Sequence, residues 1–154
     1  MDEKWQVFPA QMERYEEMLS FVLQRAVTCG VPQERMLKLQ LGFEEAVVNV
    51  IHYAYDGRKT GNVWIRAELE NGDFCLELAD GGRPFNPLAQ DDALSENAVQ
   101  EPLETRKIGG LGIALFRRVF DEVRYSYEHE NGQKGNLLTM IVHLQGGNGD
   151  GEGC

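Results

Sequence analysis

Glu45, Asn49 and His52 stand in the stretch LKLQLGFEEAVVNVIHYAY (residues 37–55), whose spacing predicts one amphipathic helix. At 100° per residue Leu37, Leu41, Val48, Ile51 and Tyr55 form one stripe, the face expected to be buried. Glu45 and Asn49 are an i, i+4 pair on its flank, and His52 follows three residues later, so all three can point at one spot. A carboxylate, an amide oxygen and an imidazole beside an apolar stripe make a candidate site. An ordinary hydrogen-bonded trio on a helix flank would show the same pattern.

Three further stretches carry chemistry. Asp80-Gly81-Gly82-Arg83-Pro84-Phe85 follows a strand-like run. A carboxylate at a strand end, with glycines that admit the backbone closely, can hold a flat polar ligand. An ionised carboxylate only accepts hydrogen bonds, so it selects an amino group such as that of adenine. A glycine-rich turn with a solvated Asp reads the same way. Gly109-Gly110-Leu111-Gly112 opens a helical pattern. Free N–H groups at a helix start make an anion site, although a flexible hinge has the same composition. Neither a Walker A sequence nor a Rossmann fingerprint is present. Lys134-Gly135-Asn136-Leu137-Leu138-Thr139-Met140 enters the last strand, where Thr139 is a hydroxyl among apolar residues; a β-favouring residue on a sheet face would also suit.

The elements that must position these groups follow from periodicity and turn signals. Residues 5–8 alternate weakly as a first strand ended by Pro9. Residues 11–28 repeat apolar positions at helical spacing and stop at Gly30, and Pro32 suits the first turn of the central helix, which ends at Asp56-Gly57. Val63, Ile65, Ala67 and Leu69 alternate, Asn71-Gly72 is a hairpin signal, and Phe74, Leu76 and Leu78 make the return strand. Residues 83–108 hold three prolines and no clean period, which predicts a long loop, with 86–108 expected to be a lid that orders on ligand binding. A helix carrying Leu115, Phe116 and Val119 and two more alternating runs, turned at Asn131-Gly132, follow. The expected fold is α+β: a two-layer sandwich of a mixed, mostly antiparallel sheet with helices on one face, forming a single domain over residues 1–145. The glycine-rich residues 146–154 are expected to be disordered.

Composition narrows the function classes. A 154-residue chain with 42% hydrophobic and 26% charged residues is long enough for one real core. A net charge of −10 argues against nucleic-acid binding. Cys29, Cys75 and Cys154 show neither a disulfide framework nor zinc spacing. No run reaches the roughly 18 apolar residues of a membrane span, and no signal-peptide pattern opens the chain, so a cytoplasmic protein with no membrane partner is expected.

Taken in order, EEAVVNVIHYAY, DGGRPFNP and IGGLGIALFRRVFDEV resemble the motifs of the GHKL (Bergerat) ATP-binding fold of gyrases, histidine kinases and mismatch-repair ATPases, over roughly residues 4–144. Within that fold the chain is most similar to the small anti-sigma-factor serine/threonine protein kinases. The resemblance implies ATP and Mg²⁺ as ligands, with Asn49 on the metal, Glu45 as general base, Asp80 on the adenine amine and Gly82 leaving room for the base. It implies backbone contacts to the phosphates from Gly110, Leu111 and Gly112, help from Arg106 or Lys107, and Thr139 on the adenine side through a water. It also implies a homodimer, paired through the N-terminal strand and helix, that phosphorylates an anti-anti-sigma protein and sequesters a sigma factor. A non-catalytic ATP-binding regulatory module and a detached histidine-kinase catalytic domain are the alternatives. The last box departs from the family pattern, reading Gly-Asn-Leu-Leu-Thr where many relatives have Gly-Thr. Glu44, a charge within the expected apolar stripe, has no counterpart in this reasoning.

Overall fold

A computed structural model describes residues 4–56, 61–89, 112–127 and 134–144. Strand β1 (Gln6–Pro9) and a 3₁₀ turn (Met12–Arg14) lead into helix α1 (Tyr15–Cys29). A second 3₁₀ turn (Gln33–Arg35) precedes helix α2 (Met36–Asn49), so Pro32 caps that turn rather than starting the helix itself. Strands β2 (Asn62–Glu70) and β3 (Asp73–Asp80), helix α3 (Gly112–Val119) and strands β4 (Glu122–Tyr127) and β5 (Asn136–His143) complete the described elements.

The strands pair in the order β1-β2-β3-β5-β4, and every pairing is antiparallel. The expected mostly antiparallel sheet is therefore antiparallel throughout its described strands. Asn71 and Gly72 both take positive φ, 53° and 85°, the backbone that a two-residue hairpin needs. The edge of β2 beyond its pairing with β1 is covered by α1: Arg25 Nε donates to the Ala67 carbonyl at 2.9 Å, and its other nitrogen meets Glu68 at 3.1 Å.

Strand alternation builds the core. Val63, Ile65 and Ala67 of β2, Phe74, Leu76 and Leu78 of β3, and Leu138, Met140 and Val142 of β5 all face inward, against Met18, Val22 and Ala26 of α1, Leu39, Phe43 and Val47 of α2 and Phe116 of α3. Each large side chain removed from water contributes roughly 1.5–3 kcal/mol.

The central helix differs from its sequence reading in two ways. Its buried side carries Leu39, Gly42, Phe43, Ala46, Val47 and Asn49, whereas Leu37 and Leu41 are 68% and 46% exposed. Two stripes compete on this helix, and the one with the small residues wins because it lets neighbouring elements approach. Glu44 then needs no special account: it lies on the solvent side. The second difference is that the helix widens after Asn49 into a π turn, Val50–Ala54, in which Tyr55 N donates to the Val50 carbonyl at 3.0 Å. Nothing in the periodicity signals this turn. Such turns open the helical ladder and leave carbonyls for other partners.

Candidate functional site

The inward parity of the sheet ends in polar residues. Asp80 continues the row Phe74, Leu76, Leu78 on β3, and Asn136 continues the row Val142, Met140, Leu138 on β5. The two are register partners, and both are buried, at 3% and 5% exposure. Asn136 Nδ2 donates to Asp80 Oδ1 at 2.9 Å, and the Gly82 N–H donates to the same oxygen at 2.8 Å. A carboxylate so deep in a core survives only with such donors.

The chain after β3 folds over this pair and is tied on both sides. Toward the sheet, the Arg83 carbonyl accepts from Asn136 Nδ2 at 2.8 Å. Phe85 N donates to Asn136 Oδ1 at 2.9 Å, the Tyr125 hydroxyl of β4 donates to the same oxygen, and Tyr127 donates to the Gly82 carbonyl at 3.2 Å. Burial, and next to it the charge of Asp80, raise the Tyr125 pKa, while the Phe85 N–H opposes the rise; the net shift keeps the hydroxyl a donor. Toward the helix, Arg83 N donates to Ala54 O and its Nε to Tyr53 O, each at 2.9 Å, so the loop uses carbonyls of the π turn. Tyr53 and Phe85 stack at 4.7 Å between centroids and 10° between planes. Gly81 N donates to the Tyr55 hydroxyl at 2.7 Å. A Cβ on Gly82 would stand 2.4 Å from the Ala54 carbonyl oxygen, so only glycine lets the loop lie this close to the helix end.

Between these walls is a cavity of about 20 Å³, lined among others by Ala46, Asn49, Asp80, Phe85, Tyr125 and Asn136. That is room for one water or one small group. Asn49 is 4% exposed, yet among the described residues neither its Oδ1 nor its Nδ2 has a hydrogen-bond partner. A buried amide without partners costs stability, and it is the kind of group a ligand satisfies. Glu45, one turn earlier, is half-buried, and its Oε2 is likewise unpartnered. Burial first, then the neighbouring Glu44 charge, raise the Glu45 pKa; the nearby Asn49 amide opposes them without making an ordinary hydrogen bond.

The structure thus brings Asp80 and Asn49 together around one cavity, with Gly82 bonded to Asp80 beside it, and keeps Glu45 next to Asn49. It does not bring His52 to them: His52 is exposed. Thr139 is a correction. It faces away from the core, and its hydroxyl donates to Glu77 at 2.7 Å on the outer side of the sheet, where Glu77 also meets Arg66 at 2.9 Å. With Leu138, Met140 and Val142 inward, Thr139 has the wrong parity for the Asp80 side. The same alternation, extended two residues back from Leu138, would have pointed to Asn136, which the sequence reading left without a role. Gly112 opens α3 as expected. Gly110, Leu111, Arg106, Lys107, the Asn131-Gly132 turn, the tail and all of the expected lid beyond Ala89 lie outside the described residues; before that point residues 87–89 form a 3₁₀ turn. Among the described residues no cluster of His, Cys, Asp or Glu could hold a metal by itself, and no helix is long and apolar enough to cross a membrane. Cys29 and Cys75 are buried, no disulfide is formed among the described residues, and burial pushes the Cys75 thiol up to about 12.

Comparison with known proteins gives the same arrangement a family. The family model described as "Histidine kinase-like ATPase domain" matches residues 8–142. The serine-protein kinase RsbW of Listeria innocua is 26% identical over 110 residues, covering 71% of this chain and 68% of its own. The RsbW of Bacillus subtilis is 26% identical over 139 residues, covering 90% and 83%. The nucleotide-free catalytic domain of the histidine kinase ThkA aligns over 93% of this chain and 96% of its own, at 15% identity and a TM-score of 0.42.

Proposed function

The chain belongs to the histidine kinase-like ATPase domain family, and from that premise we propose that it is an ATP-dependent serine protein kinase of the anti-sigma type. Its protein substrate would be a small anti-anti-sigma domain presenting a serine, and it would sequester a sigma factor as a homodimer. The relatives' names, serine-protein kinase, support the kinase part of this reading. The observation that carries the nucleotide part is the buried Asn49 amide, unpartnered and facing a cavity whose other wall is Asp80.

The residues present suit ATP and Mg²⁺. Mg²⁺ accepts a single amide oxygen from the protein because it keeps waters and phosphate oxygens as its other ligands. Asn49 offers such an oxygen. When bound, the metal would neutralise phosphate charge, the main electrostatic demand of phosphoryl transfer. Asp80, its Oδ1 held by two donors, would accept from the exocyclic amine of adenine. The glycine at 82 keeps the loop against the helix end so that the base can lie over it. Gly110, Leu111 and Gly112 would offer backbone N–H groups to the phosphates. Glu45 would take the proton of the attacking serine hydroxyl. Its raised pKa brings it nearer neutrality, where a general base works best.

The test is transfer of labelled phosphate to a cognate anti-anti-sigma protein, with nucleotide affinity measured in parallel. Glu45→Ala is expected to reduce transfer by about 10²–10⁴-fold while ATP affinity stays near wild type, because a base acts on the transition state. A wild-type chain that binds ATP and a sigma factor but phosphorylates no serine would instead be a regulatory module. A monomeric mass by light scattering at micromolar concentration would reject the dimer.

A further inference from the structure

We infer that Asn136 is a positioning residue: it fixes the plane of the Asp80 carboxylate and the course of residues 82–85 together, and does not itself touch the bound base. The inference rests on the nucleotide reading above.

An asparagine side chain has two N–H donors and one oxygen with two lone pairs. All four positions of Asn136 are filled from within the protein. Nδ2 donates to Asp80 Oδ1 at 2.9 Å and to the Arg83 carbonyl at 2.8 Å; Oδ1 accepts from Phe85 N at 2.9 Å and from the Tyr125 hydroxyl. No capacity is left for a purine. Asp80 Oδ1 in turn holds two donors, Asn136 Nδ2 and Gly82 N. Rotating the carboxylate would break both, so these two donors set the orientation in which Asp80 meets an adenine amine.

A hydroxyl residue at position 136 could not do this. It has one donor and a short reach, enough for Asp80 or for the loop but not for both. The amide joins β3, β4, β5 and the loop at one point, and the loop is pinned to the π turn through Arg83 and lies close against it at Gly82. Base selection at Asp80 is thereby coupled to loop position through one side chain.

Selection can be read with inosine triphosphate, whose ring carbonyl replaces the amine and meets the carboxylate acceptor to acceptor. A site built to bond an N–H discriminates strongly against the analogue that lacks it, provided its polar group is held in place. Asn136→Ala is expected to weaken ATP about tenfold by leaving buried partners unsatisfied, and to weaken inosine triphosphate much less, so that the preference for ATP shrinks. Amide hydrogen exchange at Phe85, measured without nucleotide, is expected to accelerate about tenfold or more because its acceptor is gone. Tyr125→Phe, which removes one donor from Oδ1 and leaves the amide in place, is expected to move both readouts the same way by a smaller factor, and it serves if the alanine variant does not fold. Equal weakening of both nucleotides would show a merely structural role and overturn the inference, as would unchanged exchange at Phe85. Failure of the wild-type chain to bind ATP would sink the nucleotide reading itself, a result distinct from either of these.

Discussion

Two buried asparagines line the same cavity in opposite states. Asn136, on the sheet wall, has every hydrogen-bonding position filled by the protein. Asn49, on the helix wall, has none filled among the described residues. Their exposures, 5% and 4%, are nearly equal, so burial does not separate them. Satisfaction does. A saturated buried amide holds a fold together, whereas an unsatisfied one is maintained at a cost that a ligand can offset. Folding completes the sheet side of the site and leaves the helix side open.

The strongest way to break this contrast is Asn49→Ala. If the amide serves a metal-bound phosphate, Mg²⁺-ATP affinity should fall by roughly 100-fold, the equivalent of about 3 kcal/mol. The thermal midpoint should stay level or rise, because an unpartnered polar group has been removed. A clear loss of stability with affinity retained would make Asn49 as structural as Asn136. Calorimetric titration and thermal unfolding on the same sample decide it.

Asp80→Asn sharpens the sheet side. The new amide has only one acceptor oxygen. If that oxygen faces Asn136 Nδ2 and Gly82 N, the other atom presents donors to the adenine amine. Affinity for ATP should fall about tenfold, and affinity for inosine triphosphate should fall less, as competition titration would show.

Glu45→Gln tests the helix side without nucleotide. The Glu45 carboxyl has its pKa raised on folding, so its protonated form is favoured in the native state. The resulting stability relation is present below the unfolded pKa, about 4.3 for glutamate, and is lost as pH rises through the folded value. Glutamine, always neutral, should therefore raise the thermal midpoint at pH 7, with the gain vanishing by about pH 4. A gain that persists unchanged in acid would mean that packing, not charge, explains it. Transfer activity of the wild type should also fall with acidification at a pH above the ordinary glutamate range.

The smallest expected effect is at Thr139. Thr139→Val removes a hydrogen bond to Glu77 on the outer sheet face and should cost about 1 kcal/mol of stability. ATP affinity should remain within about twofold of wild type, since the side chain faces away from Asp80. A larger drop in titration would restore Thr139 to the site.

Short-range patterns in the sequence were enough for the parts of this protein that rest on local physics. Period-two alternation and Asn71-Gly72 define the β2-β3 hairpin, helical spacing ending at Gly30 defines α1, and the glycines after Asp80 mark the close approach that Gly82 makes. The order of the boxes was enough for the family. Tertiary structure alone decided which stripe of α2 is buried. Leu37 and Leu41 are as apolar as Leu39 and Val47, and only the shape of the neighbouring elements favours the stripe bearing Gly42 and Ala46. It alone decided the π turn, whose freed carbonyls are met by a loop some 30 residues away. And it alone joined Asn136 to Asp80 across 56 residues. Parity could say which way Asn136 faces, but strand pairing had to say whom it meets.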